Sequence, residues 1–245
     1  MFRYLVLLGI AFATAPLPAV AQFLPQPRPV GVMTSTPLAH TSEPPTIRRE
    51  KSGTAFFVDG SGHMLTARHA VEDCARVVVA KEGRAVSARI VALSPRFDLA
   101  LIDIPRTWGL AAVFPRSVTV TANDMVFAAA YDTLPGMVGR GGMIANSTVA
   151  PSIGSGEAGH LAIDSTVTFG ASGAPVLDSR GLVEGVVSRR TMINRVLAVG
   201  AAETKAFLAA NGVRAEEDDR PQIAGSASRA NRAASISARV TCLQN

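Results

Sequence analysis

An apolar run near the N-terminus lacks the length to span a bilayer. It extends over Tyr4–Ala15, twelve residues that a proline ends, whereas a transmembrane helix needs about 20. The run follows a single positive charge and precedes the small residues Ala19-Val20-Ala21, which is typical of a secretory signal peptide. We therefore predict a signal peptide over residues 1–21 and a secreted or periplasmic protein with no stable membrane anchor after signal cleavage. An uncleaved N-terminal anchor is the alternative.

The sequence is also poor in aromatic residues and has little excess of one charge. Aromatics make up 5% of the chain, and the formal net charge is +5, or about +4 once the signal peptide is removed. The arginines are scattered, with no aromatics between them to stack on bases, so we expect no nucleic-acid partner. No solenoid or propeller repeat is visible. With 48% hydrophobic residues, the remaining length suits one large all-β domain or two half-domains.

Cysteine is nearly absent, since the chain has only Cys74 and Cys242. In an oxidising compartment two cysteines allow one intramolecular pairing, and we predict that they form a disulfide. The bond would close a very long loop, which the chain-entropy model values at about 5 kcal/mol. Two unpaired thiols, or pairing of Cys242 with another molecule, are the alternatives.

Changes in composition divide the rest of the chain into three segments. Residues 22–50 contain six prolines and few periodic apolar positions, so we predict an extended linker. Residues 51–213 contain short β-branched runs separated by turn residues, which predict antiparallel strands. This segment ends in helix formers over 201–211 with a stop at Asn211-Gly212, so it closes with a helix. Residues 214–245 have little bulky apolar content and predict a mobile polar tail.

The first motif that carries chemistry is a histidine at the end of a predicted strand pair. His69 closes the string Thr66-Ala67-Arg68-His69. Taken alone, such a histidine is more often structural or exposed than functional. His63 is the competitor, but it lies in the polar turn that begins at Asp59, where exposure is expected.

The second motif places a carboxylate directly before a buried-looking strand, in Asp98-Leu99-Ala100-Leu101. Burying an unpaired carboxylate costs several kcal/mol, so this one needs a partner, and an imidazole N–H would serve. A surface turn aspartate is the alternative. Asp103 is nearby, but it falls on the far side of the strand and no motif surrounds it.

The third motif is a serine between glycines, in Gly170-Ala171-Ser172-Gly173-Ala174-Pro175. Such a turn exposes the serine hydroxyl and points backbone N–H groups at one spot where an oxyanion can form. Glycine suits the turn because it has no Cβ to clash. A simple Gly-Ser loop between strands is the alternative.

Together the three motifs resemble the chymotrypsin/trypsin superfamily, and more closely its bacterial HtrA-like and glutamyl-endopeptidase-like branches. That superfamily has T-A-x-H, D-[ILV]-A-[LV] and G-x-S-G-x-P in this order. The likeness covers about residues 52–213, and we expect no PDZ domain after it. An α/β-hydrolase is excluded because it runs Ser, acid, His, whereas this chain has no histidine after Ser172.

The resemblance implies an all-β fold of two antiparallel six-stranded barrels with a C-terminal helix. Barrel one would cover about 51–113 and barrel two about 114–200, so that residues 51–213 form a trypsin-like protease domain. The implied function is a secreted serine endopeptidase that works through a Ser-His-Asp triad and an acyl-enzyme. Its residues would be His69, Asp98 and Ser172, with an oxyanion hole at the N–H groups of Gly170 and Ser172. A non-catalytic binding or chaperone module of the same fold, or an esterase, is the alternative.

By the same resemblance, Thr166 lies at the base of the primary specificity pocket, and Ser188, Arg189 and Arg190 form one wall. Because Thr166 carries no negative charge, we do not expect cleavage after Lys or Arg. Arg190 either favours an acidic residue or points to solvent. The implied partners are protein or peptide substrates, with no cofactor and no metal.

Overall fold

The computed structural model describes residues 50–117, 119–139, 147–150, 158–167, 169–225 and 227–244. All of them belong to the second of two units, Pro45–Asn245. The predicted signal peptide (1–21), and the predicted linker (22–50) up to its last residue, lie outside the described residues. None of the helices in the described ranges has the length and apolar character needed to cross a membrane.

Short strands dominate these ranges. In chain order they are β1 (Glu50–Phe57), β2 (His63–Thr66), β3 (Arg76–Lys81), β4 (Arg84–Leu93), β5 (Ala100–Asp103), β6 (Val113–Phe114), β7 (Met125–Val126), β8 (Ser147–Val149), β9 (His160–Ser165), β10 (Pro175–Leu177), β11 (Val183–Met192), β12 (Arg195–Gly200), β13 (Glu216–Glu217) and β14 (Ser237–Leu243). The helices are α1 (Leu134–Gly139), α2 (Ala201–Ala210) and α3 (Arg229–Ile236), and single 3-10 turns occur at Arg68–Ala70 and Tyr131–Thr133.

Barrel one is closed and antiparallel, with strand order β1-β14-β3-β4-β5-β2. Alternate side chains point inward, as strand geometry requires. Phe57, Met64, Val79, Ile102 and Val240 pack together there and are all fully buried. Removing this apolar surface from water, at about 25 cal/mol per Å², holds the strands in register.

Barrel two is a six-stranded antiparallel sheet with strand order β10-β11-β12-β9-β8-β7. A bridge between Phe127 and Leu177 joins its two edges, since each residue donates its N–H to the other's carbonyl at 2.8 Å. The sheet is therefore nearly closed. This architecture confirms the predicted all-β fold of two six-stranded barrels.

Helix α2 follows β12 and covers one side of barrel two. Its Leu208 is fully buried in the largest core cluster, and Gly212 (φ +75°) follows its C-terminal cap. A positive φ favours glycine, which is why the predicted Asn-Gly stop works here. The predicted helix is present, but the folded chain continues beyond it.

The polar tail predicted for residues 214–245 is wrong. Ser228 begins α3 with a capping box, in which its side chain accepts from the Asn231 N–H and the Asn231 side chain accepts from the Ser228 N–H. Strand β14 then lies between β1 and β3, where Cys242 is opposite Lys51 on one side and Val77 on the other. The C-terminal segment is therefore the strand that closes barrel one.

The disulfide ties β14 to the turn that follows Arg68–Ala70. Cys74 and Cys242 are bonded across 168 residues of chain, and Cys242 is fully buried. The bond therefore fastens the last strand of the barrel to a segment close to His69 in sequence.

Replacing both cysteines by alanine is expected to lower the free energy of unfolding by about 2–5 kcal/mol, because the unfolded chain is no longer constrained by the long loop. Urea unfolding followed by circular dichroism measures the change. If the urea midpoint and the slope of the unfolding transition were unchanged, hydrogen bonding along β14 would be sufficient to hold the strand in the barrel.

Candidate active site

His69 is presented by the 3-10 turn that follows β2. Arg68 anchors this turn, because its guanidinium donates to the Glu72 carboxylate at 2.8 Å and to the Ser94 carbonyl at 3.0 Å. Ala70 is buried beneath it, while the His69 side chain remains 46% exposed. The backbone is thus fixed and the imidazole faces solvent.

Asp98 lies in the turn between β4 and β5 and receives three hydrogen bonds. Its Oδ1 accepts from the His69 backbone N–H at 2.9 Å, and its Oδ2 accepts from His69 Nδ1 at 2.7 Å and from Ser188 Oγ at 2.7 Å. Burial alone would raise the pKa of Asp98, but the hydrogen bonds from His69 and Ser188 outweigh it and lower the pKa to about 2. The carboxylate is therefore ionised at neutral pH.

The ionised carboxylate determines how the imidazole is protonated. A carboxylate can only accept, so Nδ1 of His69 carries the proton and Nε2 is left as an acceptor. Nε2 lies 3.0 Å from Ser172 Oγ, within reach of the serine hydroxyl proton. The hydrogen bond to Asp98 raises the pKa of His69 above its usual 6.5, although burial opposes this.

The turn that carries Ser172 depends on its two glycines. Gly170 has a backbone φ of +85° and Gly173 one of +84°. Residues that carry a Cβ rarely adopt such positive values. A Cβ on Gly173 would also come within 2.1 Å of the Thr54 carbonyl oxygen. Within the described part of the chain, the N–H groups of Gly170 and Ser172 donate to no protein acceptor. The turn therefore leaves two amide donors beside the serine hydroxyl.

Thr54 of β1 connects the two barrels at this turn, a role that its position in the sequence did not reveal. Its backbone N–H donates to the Ser172 carbonyl at 2.9 Å, and its hydroxyl donates to the Gly170 carbonyl at 2.8 Å while accepting from the Tyr131 N–H. Thr54 is fully buried. The serine of barrel two is thus held at a fixed distance from the histidine of barrel one.

An open cleft of about 770 Å³ surrounds His69 and Ser172. The predicted wall residues Ser188, Arg189 and Arg190 line it, and the Arg190 guanidinium donates to the Val167 carbonyl. A larger cavity of about 990 Å³ shares no residue with this cleft.

Thr166, predicted at the base of the pocket, is exposed and is not among the described residues that line the cleft. Its neighbour Val167 is buried and does line it. The assignment of Thr166 to the base of the specificity pocket stays a prediction, and Val167 is the neighbouring residue that contacts the cleft.

The two competing residues have local partners of their own. His63 Nδ1 lies 2.6 Å from Asp59 Oδ2 in the turn between β1 and β2, and Asp103 pairs with Arg89 at 3.0 Å on the surface. Among the described residues, His63 forms no hydrogen bond to a serine hydroxyl. In the same ranges, no group of three or more His, Cys, Asp or Glu residues is placed to hold a metal ion.

Known proteins are similar to this chain in sequence and in fold. A family model described as a trypsin-like peptidase domain matches residues 53–186. The uncharacterised protein y4bJ of Sinorhizobium fredii is 30% identical over 89% of this chain and 35% of its own length. A probable periplasmic serine endoprotease DegP-like of Brucella suis is 29% identical over 60% of this chain and 29% of its own length. The solved serine endoprotease from Yersinia pestis has TM-score 0.54 and 21% identity, over 65% of this chain and 57% of that chain.

These similarities differ in what they establish. The family model covers more than half of the chain, and the structural likeness extends to the two-barrel fold alone. The chain spans only about a third of the length of the two curated relatives named above.

Proposed function

Because the chain belongs to the trypsin-like peptidase family, we propose that it is a secreted or periplasmic serine endopeptidase with His69, Asp98 and Ser172 as its catalytic triad. The observation that carries the proposal is the continuous hydrogen-bond chain from Asp98 Oδ2 to His69 Nδ1, at 2.7 Å, and from His69 Nε2 to Ser172 Oγ, at 3.0 Å. The periplasmic assignment is supported by the predicted signal peptide and by the similarity to the Brucella relative, which is named a probable periplasmic serine endoprotease.

In the proposed reaction, Ser172 Oγ attacks the peptide carbonyl carbon while its proton passes to Nε2 of His69. Asp98 holds the imidazole in the required tautomer and offsets the imidazolium charge. The carbonyl oxygen becomes an oxyanion, which the N–H groups of Gly170 and Ser172 stabilise, each by about 3 kcal/mol. Collapse of this tetrahedral intermediate breaks the C–N bond, and the His69 imidazolium gives its proton to the leaving amine. Water repeats the sequence on the acyl-enzyme and releases the new carboxylate.

Two substrates together test this reaction. The enzyme is expected to release soluble peptides from denatured casein and to give a burst of nitrophenol, equal to the enzyme concentration, from a nitrophenyl ester, because both pass through an acyl-enzyme. A burst without casein hydrolysis would favour the esterase alternative. Turnover of neither substrate would favour a binding or chaperone module that keeps the protease fold.

The pH profile of kcat/KM tests the roles of His69 and Asp98. Activity is expected to rise with pH through the pKa of His69 and to reach half its maximum above pH 6.5, because the protonated imidazole cannot accept the serine proton. Asp98 titrates near 2 and adds no inflection in this range.

Asp98→Asn is expected to lower the rate about 10⁴-fold and to move the midpoint to lower pH, because it removes the main interaction that raises the pKa of His69. Asp103→Asn is the matched control, since it makes the same chemical change in a surface ion pair. Equal effects of the two variants would contradict the assigned role of Asp98.

A further inference from the structure

The two amide donors beside the Ser172 hydroxyl are not held equally firmly by the turn that carries them. The Ser172 N–H belongs to the peptide whose carbonyl, on Ala171, accepts from the Ala174 N–H at 2.9 Å. The following peptide is fixed too, because its carbonyl accepts from the Thr54 N–H at 2.9 Å. It is also tightly packed, since a Cβ on Gly173 would lie 2.1 Å from the Thr54 carbonyl oxygen. The Ser172 donor therefore has a fixed direction.

The Gly170 N–H has no such support of its own. It belongs to the peptide that joins Phe169 to Gly170, and no hydrogen bond within the described ranges holds the carbonyl of that peptide. The Phe169 side chain is fully exposed. Outside the adjoining residues, a Cβ added to Gly170 would meet no atom closer than the Ala130 Cβ, at 3.6 Å. Because glycine has a permissive backbone, the direction of this donor depends on the peptide that follows it.

A hydrogen bond from barrel one restrains that following peptide. Its carbonyl, on Gly170, accepts from the Thr54 hydroxyl at 2.8 Å. The hydroxyl accepts in turn from the Tyr131 N–H at 2.9 Å, and its own single proton is given to the Gly170 carbonyl. Thr54 is fully buried, so water does not compete for either bond. The Thr54 hydroxyl is therefore the anchor nearest to the Gly170 donor.

We propose that Thr54 is a positioning residue for the oxyanion hole, in which its hydroxyl on barrel one sets the direction of the Gly170 N–H on barrel two. This inference rests on the proposed endopeptidase function and adds to it a residue outside the three motifs. The oxyanion forms only after Ser172 attacks the substrate. A misdirected Gly170 N–H therefore weakens binding of the transition state and leaves binding of the uncut peptide unchanged.

Thr54→Val tests this role, because valine has nearly the shape of threonine and lacks the hydroxyl. The kcat for a fluorogenic peptide amide is expected to fall by about 10- to 100-fold, less than the roughly 10²- to 10³-fold that outright loss of one donor causes. KM should stay within about twofold of the wild-type value, since ground-state binding is not affected. Affinity for a peptide aldehyde, whose adduct with the serine places an oxygen in the oxyanion hole, should fall by a factor similar to the loss of kcat.

Thr204→Val is the matched control. Thr204 is also fully buried and its hydroxyl donates to the Gly200 carbonyl at 2.8 Å, but it lies in α2 and is not among the described residues that line the cleft. This variant loses a hydrogen bond of the same kind and should keep the wild-type kcat. Thr54→Ser retains the hydroxyl and should restore kcat to within about threefold of wild type. Thr54→Ala removes the hydroxyl without placing a methyl group against the Gly170 carbonyl, and should behave like Thr54→Val.

The outcomes separate failure of this inference from failure of the proposed function. If a fluorophosphonate labels the wild type but Thr54→Val keeps its kcat, or loses no more than Thr204→Val, the inference is wrong and the peptidase assignment stands. The inference is also wrong if Thr54→Ser is impaired as much as Thr54→Val, or if neither variant without the hydroxyl folds while Thr204→Val does. A wild type that takes up no fluorophosphonate and hydrolyses no peptide would overturn the proposed function, and with it the inference.

Discussion

His69→Ala is expected to lower kcat/KM for a peptide substrate by on the order of 10⁵- to 10⁶-fold, because the serine hydroxyl then has no base within reach and the triad acts as a unit. The fold should persist, since the imidazole is half exposed and its loss leaves no cavity in the core. Steady-state hydrolysis of a fluorogenic peptide measures the loss, and circular dichroism checks the fold.

His63→Ala is the matched control for this variant. His63 also lies within 2.7 Å of an aspartate, Asp59, but that pair sits in the turn between β1 and β2. We expect the kcat/KM of His63→Ala to lie within about twofold of the wild-type value. If the two histidine variants were equally impaired, proximity to a carboxylate and not contact with Ser172 would be the relevant property.

Deleting residues 237–245 is expected to abolish cooperative folding. Strand β14 hydrogen-bonds to both β1 and β3, so its loss opens barrel one and exposes two strand edges to water. The deletion also removes the fully buried Ala238, Val240 and Cys242, and it breaks the disulfide. The disulfide alone accounts for about 2–5 kcal/mol, which is comparable with the whole stability of a typical domain, about 5–15 kcal/mol.

Thermal and urea unfolding of the truncated chain measure this effect. A chain ending at Leu243 is the matched control, because it loses only the residues beyond the strand and should unfold like the full chain. A cooperative transition with near wild-type midpoint in the 237–245 deletion would show that barrel one is stable without its C-terminal strand.

The features that the sequence could predict are those set by neighbouring residues. The β-branched run of β3 and the helix formers of α2 are visible within a few positions, because strand and helix preferences are local properties. The three motifs also lie within short strings. In the serine motif the glycines determine the turn, because a Cβ on Gly173 would collide with the Thr54 carbonyl oxygen.

Strand β14 was missed because its signal is weak without its partners. Ala238, Val240 and Cys242 do alternate inward, but the run is short, contains small residues and follows a polar stretch. Its position is determined by pairing with β1, nearly two hundred residues earlier in the chain, and no local pattern reports that pairing.

Contacts between the two barrels could likewise not be predicted from the sequence. Ser188 was predicted as a wall of the cleft, yet its hydroxyl also donates to Asp98 of the other barrel at 2.7 Å.

The central claim is that His69 and Asp98 make Ser172 a nucleophile, and covalent labelling tests it most directly. Intact-mass and peptide mass spectrometry after reaction with a fluorophosphonate should show one equivalent of adduct on Ser172, no adduct in Ser172→Ala, and strongly slowed labelling in His69→Ala. Absence of any adduct on the folded wild type, or an adduct that persists in Ser172→Ala, would contradict the account.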